Sequence, residues 1–227
     1  MKRILILTAF ALIFAACSKP EEVKNTTVSV PAANTQANTP ANVEPVKDDV
    51  FTAGANPKGD VFYSTKKQMS VPVWSATVTS ETAAELNMLM EHVAPNRYYV
   101  KQPEGEVIVI GSDSYVNQTG KWQKVGIDLS EQLSSQARLV TEEALQSIKD
   151  VQKVGTEQIN GKETIIYSYK TENAEAGGET ATKVWVDKNT GLPMKISVEG
   201  TVNGQKQKVS TVYNYEKPVK IEAPKID

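Results

Sequence analysis

Two residues could carry chemistry by type alone: Cys17 and His92, each the single one of its kind among 227 residues. Any serine triad would have to use His92, and no Gly-x-Ser-x-Gly elbow is present to hold the nucleophile. A zinc site built on histidine and cysteine ligands has too few of either. No glycine loop of a phosphate-binding pattern occurs. Asp and Glu total 27, and their pairing in space is not readable from the chain, so a carboxylate pair stays open. The chain therefore reads as a non-enzymatic protein without cofactor or metal. His92 is left with two roles, a hydrogen bond to a lipid head group or a structural place in the core.

Cys17 gains meaning from what precedes it. Lys2 and Arg3 form a charged start, and Ile4 to Phe14 form an apolar run too short to span a bilayer. An ordinary signal-peptidase site after Ala16 would need a small residue where Phe14 stands. With Cys17 as the first mature residue, Phe14-Ala15-Ala16-Cys17 resembles a bacterial lipobox, with Phe14 in the place usually held by Leu. That resemblance implies a lipoprotein signal peptide over 1–16, a diacylglyceryl thioether on Cys17 and an N-acyl chain such as palmitate. Each buried methylene contributes about 0.8 kcal/mol and one chain anchors only marginally, so the additional chains make the anchoring stable. The implied location is the cell envelope, facing the periplasm or the exterior. Ser18 in place of Asp favours the outer membrane in a Gram-negative host.

Removing residues 1–16 takes away Lys2 and Arg3 and no acid, leaving 23 basic and 27 acidic residues, a formal −4. No basic patch stands out, which argues against a nucleic-acid partner. With Cys17 modified no disulfide can form, and the core alone must hold the fold. Residues 17–58, rich in Pro, Ala, Asn, Thr, Glu and Val, cannot bury enough apolar surface to order themselves and read as a disordered tether. The folded domain is expected over 59–227.

The elements that must position any site are mostly strands. Asp60 to Met69 reads as a short helix with Val61, Phe62 and Met69 as its apolar contacts. Val71–Thr79 reads as a strand with Trp74, Ala76 and Val78 on one face. Residues 84–93 alternate, with Leu86, Met88, Met90 and His92 together on one side. Strands follow at 97–101, 106–110, 114–117 and 121–125, at hairpin spacing. Asp128-Leu129-Ser130-Glu131 has capping-box spacing, and Leu129, Leu133 and Ala137 line the helix it opens. Thr141 can cap a second helix with Glu142 and Glu143 in its first turn and Ala144, Leu145 and Ile148 on its apolar face. Strands resume at 151–158 and 163–171 around Asn160-Gly161. The C-terminal third adds strands at 183–187, 192–200 and 206–216, joined at Lys188-Asn189-Thr190-Gly191 and Asn203-Gly204, where Asn and Gly suit tight hairpins.

The fold class is therefore mainly β: an unclosed antiparallel half-barrel of about ten strands, with a helical lid inserted at 129–149. A sheet this long must curl, and a half-barrel has more interior than its own side chains readily fill.

Tyr115, Trp122-Gln123-Lys124-Val125, Val154-Gly155-Thr156-Glu157, Trp185-Val186-Asp187, Thr190-Gly191-Leu192-Pro193, Tyr213-Asn214-Tyr215 and Ile221-Glu222-Ala223-Pro224 resemble the lipoprotein-localisation factor superfamily. The pattern is particularly similar to its lipidated LppX/LprG-type members. The resemblance implies an unclosed β-barrel with a helical lid over a hydrophobic cavity for acyl chains, with no catalytic residues. The candidate lining is Trp74, Leu86, Met88, Met90, Leu133, Leu145 and Ile148; methionine suits a wall that meets variable chains, and ordinary core packing is the competing role. Trp122 and Trp185 are candidates for the cavity, its rim or the core. The expected function is a membrane-anchored lipoprotein that binds a lipid or lipoprotein acyl chain for carriage or sorting. The alternative is an envelope-stress sensor that uses the same fold to bind a protein partner, and a third reading is a structural domain with a plugged interior. Expected partners are a lipid or acylated lipoprotein, the membrane through Cys17 and, in the alternative, an envelope protein; the chain itself is expected to be a monomer.

Overall fold

The computed structural model describes residues 50–137, 147–173, 178–202 and 205–226. Cys17, Leu145, the proposed cap at Thr141 and the Asn203-Gly204 turn lie outside these residues. The chain enters a helix, α1 (Pro57–Ser70), and then β1 (Val73–Ser80). A short 3-10 turn, Ala84–Leu86, leads into β2 (Met88–Val93), β3 (Arg97–Gln102), β4 (Gly105–Ile110), β5 (Asp113–Asn117) and β6 (Trp122–Val125). Helix α2 (Ser130–Ala137) follows. The last five strands are β7 (Lys149–Ile159), β8 (Lys162–Asn173), β9 (Gly178–Asp187), β10 (Pro193–Val202) and β11 (Gln205–Asn214).

All eleven strands form one antiparallel sheet in the order β6-β5-β4-β3-β2-β1-β11-β10-β9-β8-β7. Two meanders are joined where β1 pairs with β11, Ala76 lying opposite Tyr213. The edges are β6 and β7, strands consecutive in the chain, so the sheet is not closed. The insertion that carries α2 links one free edge to the other.

Local chemistry explains the tight turns. Between β7 and β8, Asn160 and Gly161 have φ of 51° and 77°, the left-handed pair that a two-residue hairpin requires. Between β9 and β10, the buried Asp187 carboxylate accepts the N–H groups of Asn189 and Thr190 at 2.8 and 2.7 Å, and Gly191 takes φ 70°. A Cβ at Gly191 would approach the Tyr63 ring to 2.6 Å, so space as well as backbone conformation demands glycine there.

Pairing separates two faces. One face carries Trp74, Met90, Tyr98, Tyr167, Val184 and Tyr213 and forms the main core with Val61 of α1 and Leu133 of α2. The other face carries Ile108 and Tyr115, which form a second, smaller core under Ile221. The chain after β11 supplies that cover: Asn214 Oδ1 accepts the N–H groups of Glu216 and Lys217, and Arg97 Nη1 donates to the Ile221 carbonyl at 3.0 Å. No helix of the described residues is long and apolar enough to cross a membrane.

Two expectations about helices need correction. Ser147 is in a turn, Ile148 is in neither helix nor strand, and Lys149 opens β7, so the proposed second helix does not extend through 148–149. In α1, Val61 is buried as expected, whereas Met69 is 41 % exposed.

Candidate functional site

The inner face of the curled sheet is the site the sequence pointed to. In a strand, alternate side chains share a face, and the register Trp74↔His92, Ala76↔Met90 and Val78↔Met88 puts all six side chains on the inner one. Trp74, Met90, Leu133 and Ile148 belong to one buried cluster, and Met88 packs against it half-buried. Ile148 reaches the cluster from a stretch that is neither helix nor strand, not from the helix expected there. Leu86 differs: it lies half-buried in the 3-10 turn before β2 and outside that cluster, because the alternating pattern over 84–93 becomes a strand only from Met88.

Helix α2 is placed by its first residues. Asp128 Oδ1 accepts the Ser130 N–H at 2.8 Å, which satisfies a free donor at the helix start. The Ser130 side chain, and with it that N–H, holds the Asp128 carboxyl below its usual range. Leu129 N–H donates to Ser114 Oγ on β5 at 3.0 Å, and Leu133 then drops into the core.

Of the three tryptophans only Trp74 faces inward. Trp185 pairs with Ile166 and Lys195 on the opposite face. Its Nε1 donates to Glu157 Oε2 at 2.6 Å, and Lys195 Nζ lies 4.5 Å from its ring centroid. Trp122 packs against the small outer core.

A second helix, α1, covers the other half of the inner face; sequence reasoning placed a short helix at 60–69 but missed the polar character of its buried face. Asn56 caps α1 by accepting the Gly59 N–H, and Pro57 opens it. The buried positions of α1 are largely polar: Asp60, Ser64, Thr65 and Gln68. Asp60 is wholly buried and accepts four hydrogen bonds, from Thr52 N and Oγ1 at 2.6 and 2.8 Å, Gly54 N at 2.6 Å and Tyr167 Oη at 2.7 Å. A carboxylate with that many donors is a sound buried charge. Burial, with Asp60 adding to it, pushes the Tyr167 hydroxyl far above its ordinary value, so it stays a donor. Asp60 thereby ties Thr52–Gly54, α1 and β8 into one unit. The only signal was the i, i+4, i+8 recurrence of Asp60, Ser64 and Gln68, which reads as a solvated face until the partners are known.

Four buried side-chain atoms have no hydrogen-bond partner among the described residues, and three of them border the interior: Ser64 Oγ, Gln68 Oε1 and His92 Nδ1. Each such atom costs about 1–3 kcal/mol. His92 lies between Trp74 and Tyr98 on the inner face. It stands near the last turn of α1, because Val71 N–H bonds the Gln68 carbonyl and Ala94 N–H bonds the Pro72 carbonyl.

The inner face is not uniform. At the α1 end Tyr167, Val186 and Tyr213 are at most 2 % exposed. Met88, Val107, Leu129 and Val198 stay half-buried around the same cluster. A separate depression of 290 Å³ lies on the outer side of β7–β10, lined by Asp150, Gln152, Lys170, Lys183 and Glu199 among others. Its charged lining suits no acyl chain, and it is not part of the interior.

Taken together, the architecture is that of an unclosed antiparallel half-barrel with helices on its concave face and an apolar interior. Among solved structures it is similar to the Mycobacterium tuberculosis lipoprotein LppX, over 73 % of this chain and 98 % of that one, with TM-score 0.57 at 15 % identity. It is likewise similar to LprF from Mycobacterium bovis, over 74 % of this chain and 96 % of that one, with TM-score 0.59 at 16 % identity. The LppX-type resemblance read from the sequence is met at the level of fold. No sequence-family model and no curated protein matches the chain.

Proposed function

We propose that the chain is a membrane-anchored, non-enzymatic bacterial lipoprotein that binds an acyl chain of a lipid or of another lipoprotein inside the half-barrel, for carriage or sorting across the envelope. The anchor is the lipidated Cys17, and residues 18–49 are its tether, the expected end at 58 moving back because Thr52–Lys58 belong to the cap and first turn of α1. One observation carries the reading: the apolar inner face continues from a sealed core into a half-buried margin at Met88, Val107, Leu129 and Val198. Burying a chain of about sixteen carbons there contributes on the order of 10 kcal/mol gross, at roughly 0.8 per methylene. Specificity then needs few polar groups, and Ser64, Gln68 and His92 supply unpaired ones. The same fold in a lipoprotein, LppX, is consistent with this assignment, although fold alone does not fix function.

The test is direct. The chain from Ser18 onward is exported to a bacterial periplasm, purified without detergent, extracted with organic solvent and the extract weighed by mass spectrometry. A lipid in stoichiometric amount is expected. A clean extract from a folded protein would overturn the reading and favour a protein partner.

A further inference from the structure

The buried positions of α1 are 59, 60, 61, 64, 65 and 68, and Phe62 is half-buried against the main core. Toward the far side lie Lys58, Lys66 and Met69, two cations and an apolar side chain. Asp60 is the single acid of the helix and is wholly buried, so no carboxylate of α1 opposes these lysines. Neither Lys58 nor Lys66 joins an ion pair among the described residues. Lys58 Nζ instead lies 5.8 Å from the Phe62 ring centroid.

Neighbouring segments continue the pattern. Five large apolar side chains are exposed among the described residues, and three of them, Val50, Met69 and Val154, belong to α1 or to segments beside it. Val154 is on β7, which packs against α1. Lys153 adds a further cation, its side chain lying within 2.8 Å of where a Cβ on Gly54 would sit. These lysines stand on a chain whose net charge is negative.

We propose that this face of α1, with Lys58, Lys66 and Met69 at its centre, is a docking surface for an anionic lipid bilayer. The inference rests on the anchoring read at Cys17, because the tether enters the fold at Val50 beside this helix. A tether of residues 18–49 spans on the order of 30 Å if Gly/Ser-like in flexibility. Tethering raises the effective concentration of the surface to about the millimolar range, so weak intrinsic affinity is enough. Lysines then meet lipid phosphates while Met69 enters the interfacial layer, as in interfacial helices. Because α1 also covers the inner face of the sheet, docking would bring the interior next to the bilayer.

The experiment uses the chain from Ser18 onward, so that no anchor contributes, with vesicles of phosphatidylcholine alone or mixed with phosphatidylglycerol. Co-sedimentation is expected with the mixed vesicles only, and it should weaken as salt rises. The Lys58→Glu/Lys66→Glu double variant should bind roughly tenfold more weakly or worse, with an unchanged thermal midpoint. Met69→Ser should weaken binding while keeping the salt dependence. No sedimentation of the wild type with mixed vesicles, equal sedimentation with neutral ones, or equal binding by the double variant would each overturn the proposal. Solvent extraction of the same preparation is read separately: lipid in the extract without vesicle binding removes the docking surface and leaves the interior site intact.

Discussion

His92 sits between two aromatic rings, 5.3 Å from Trp74 and 4.9 Å from Tyr98 centroid to centroid. Burial pulls its imidazole below the ordinary 6.5, and the nearby Pro95 backbone opposes this only in part. The unfolded chain therefore takes up the proton at a higher pH than the folded one. Stability is full above 6.5 and falls as pH drops below that value, until the folded imidazole protonates too. The denaturant midpoint should decline from neutral pH toward about 5, and His92→Phe should flatten that decline. Since His92 is the only histidine, a decline of equal size in the variant would assign it to carboxylates. The inward face of His92 was legible from its spacing with Met88 and Met90. Its neighbours Trp74 and Tyr98 were not assigned to it, because cross-strand pairing depends on turn lengths as well as on alternation.

Among the elements, the strands were legible because alternation and Asn/Gly turns are local signals, and β3 through β6 fall close to their expected ranges. Helix α1 was read with Met69 inside because its buried face is polar, and a hydrophobic pattern cannot reveal a carboxylate satisfied by Thr52 and Tyr167. The segment after β11 was also opaque. The expected strand ran to 216, whereas the Asn214 side chain turns the chain away from the sheet at that point. Val219 and Ile221 then cover Ile108, Tyr115 and Trp122 on the outer face, held by Arg97 and by Lys217 Nζ on Glu91 Oε1 at 2.6 Å. Ile221 is 4 % exposed, so this extended segment acts as part of the core. Ile221→Ala should lower stability by about 2–5 kcal/mol, read from the urea midpoint. A change below about 0.5 kcal/mol, the scale of ordinary surface substitutions, would mean that the cover contributes little.

For the whole molecule, the topology decides where a ligand can enter. β1 and β11 lock the centre of the sheet, while β6 and β7 are left as separate edges, so the apolar interior is accessible only where helices and connecting chain cover it. Met88 and Met90 look equivalent in sequence, yet their burial separates them. Met90 is 6 % exposed in the core, whereas Met88 is half-buried at the margin. A tryptophan at Met90 must overpack and should cost about 1–3 kcal/mol, which confounds any effect on uptake. At Met88 the ring can spread across the margin, so Met88→Trp should leave the urea midpoint nearly unchanged and reduce the lipid extracted per protein. If Met88→Trp carries as much lipid as the wild type, the acyl chain does not pass that margin. Entry would then lie on the α1 side, where Tyr167 and Tyr213 now close the interior.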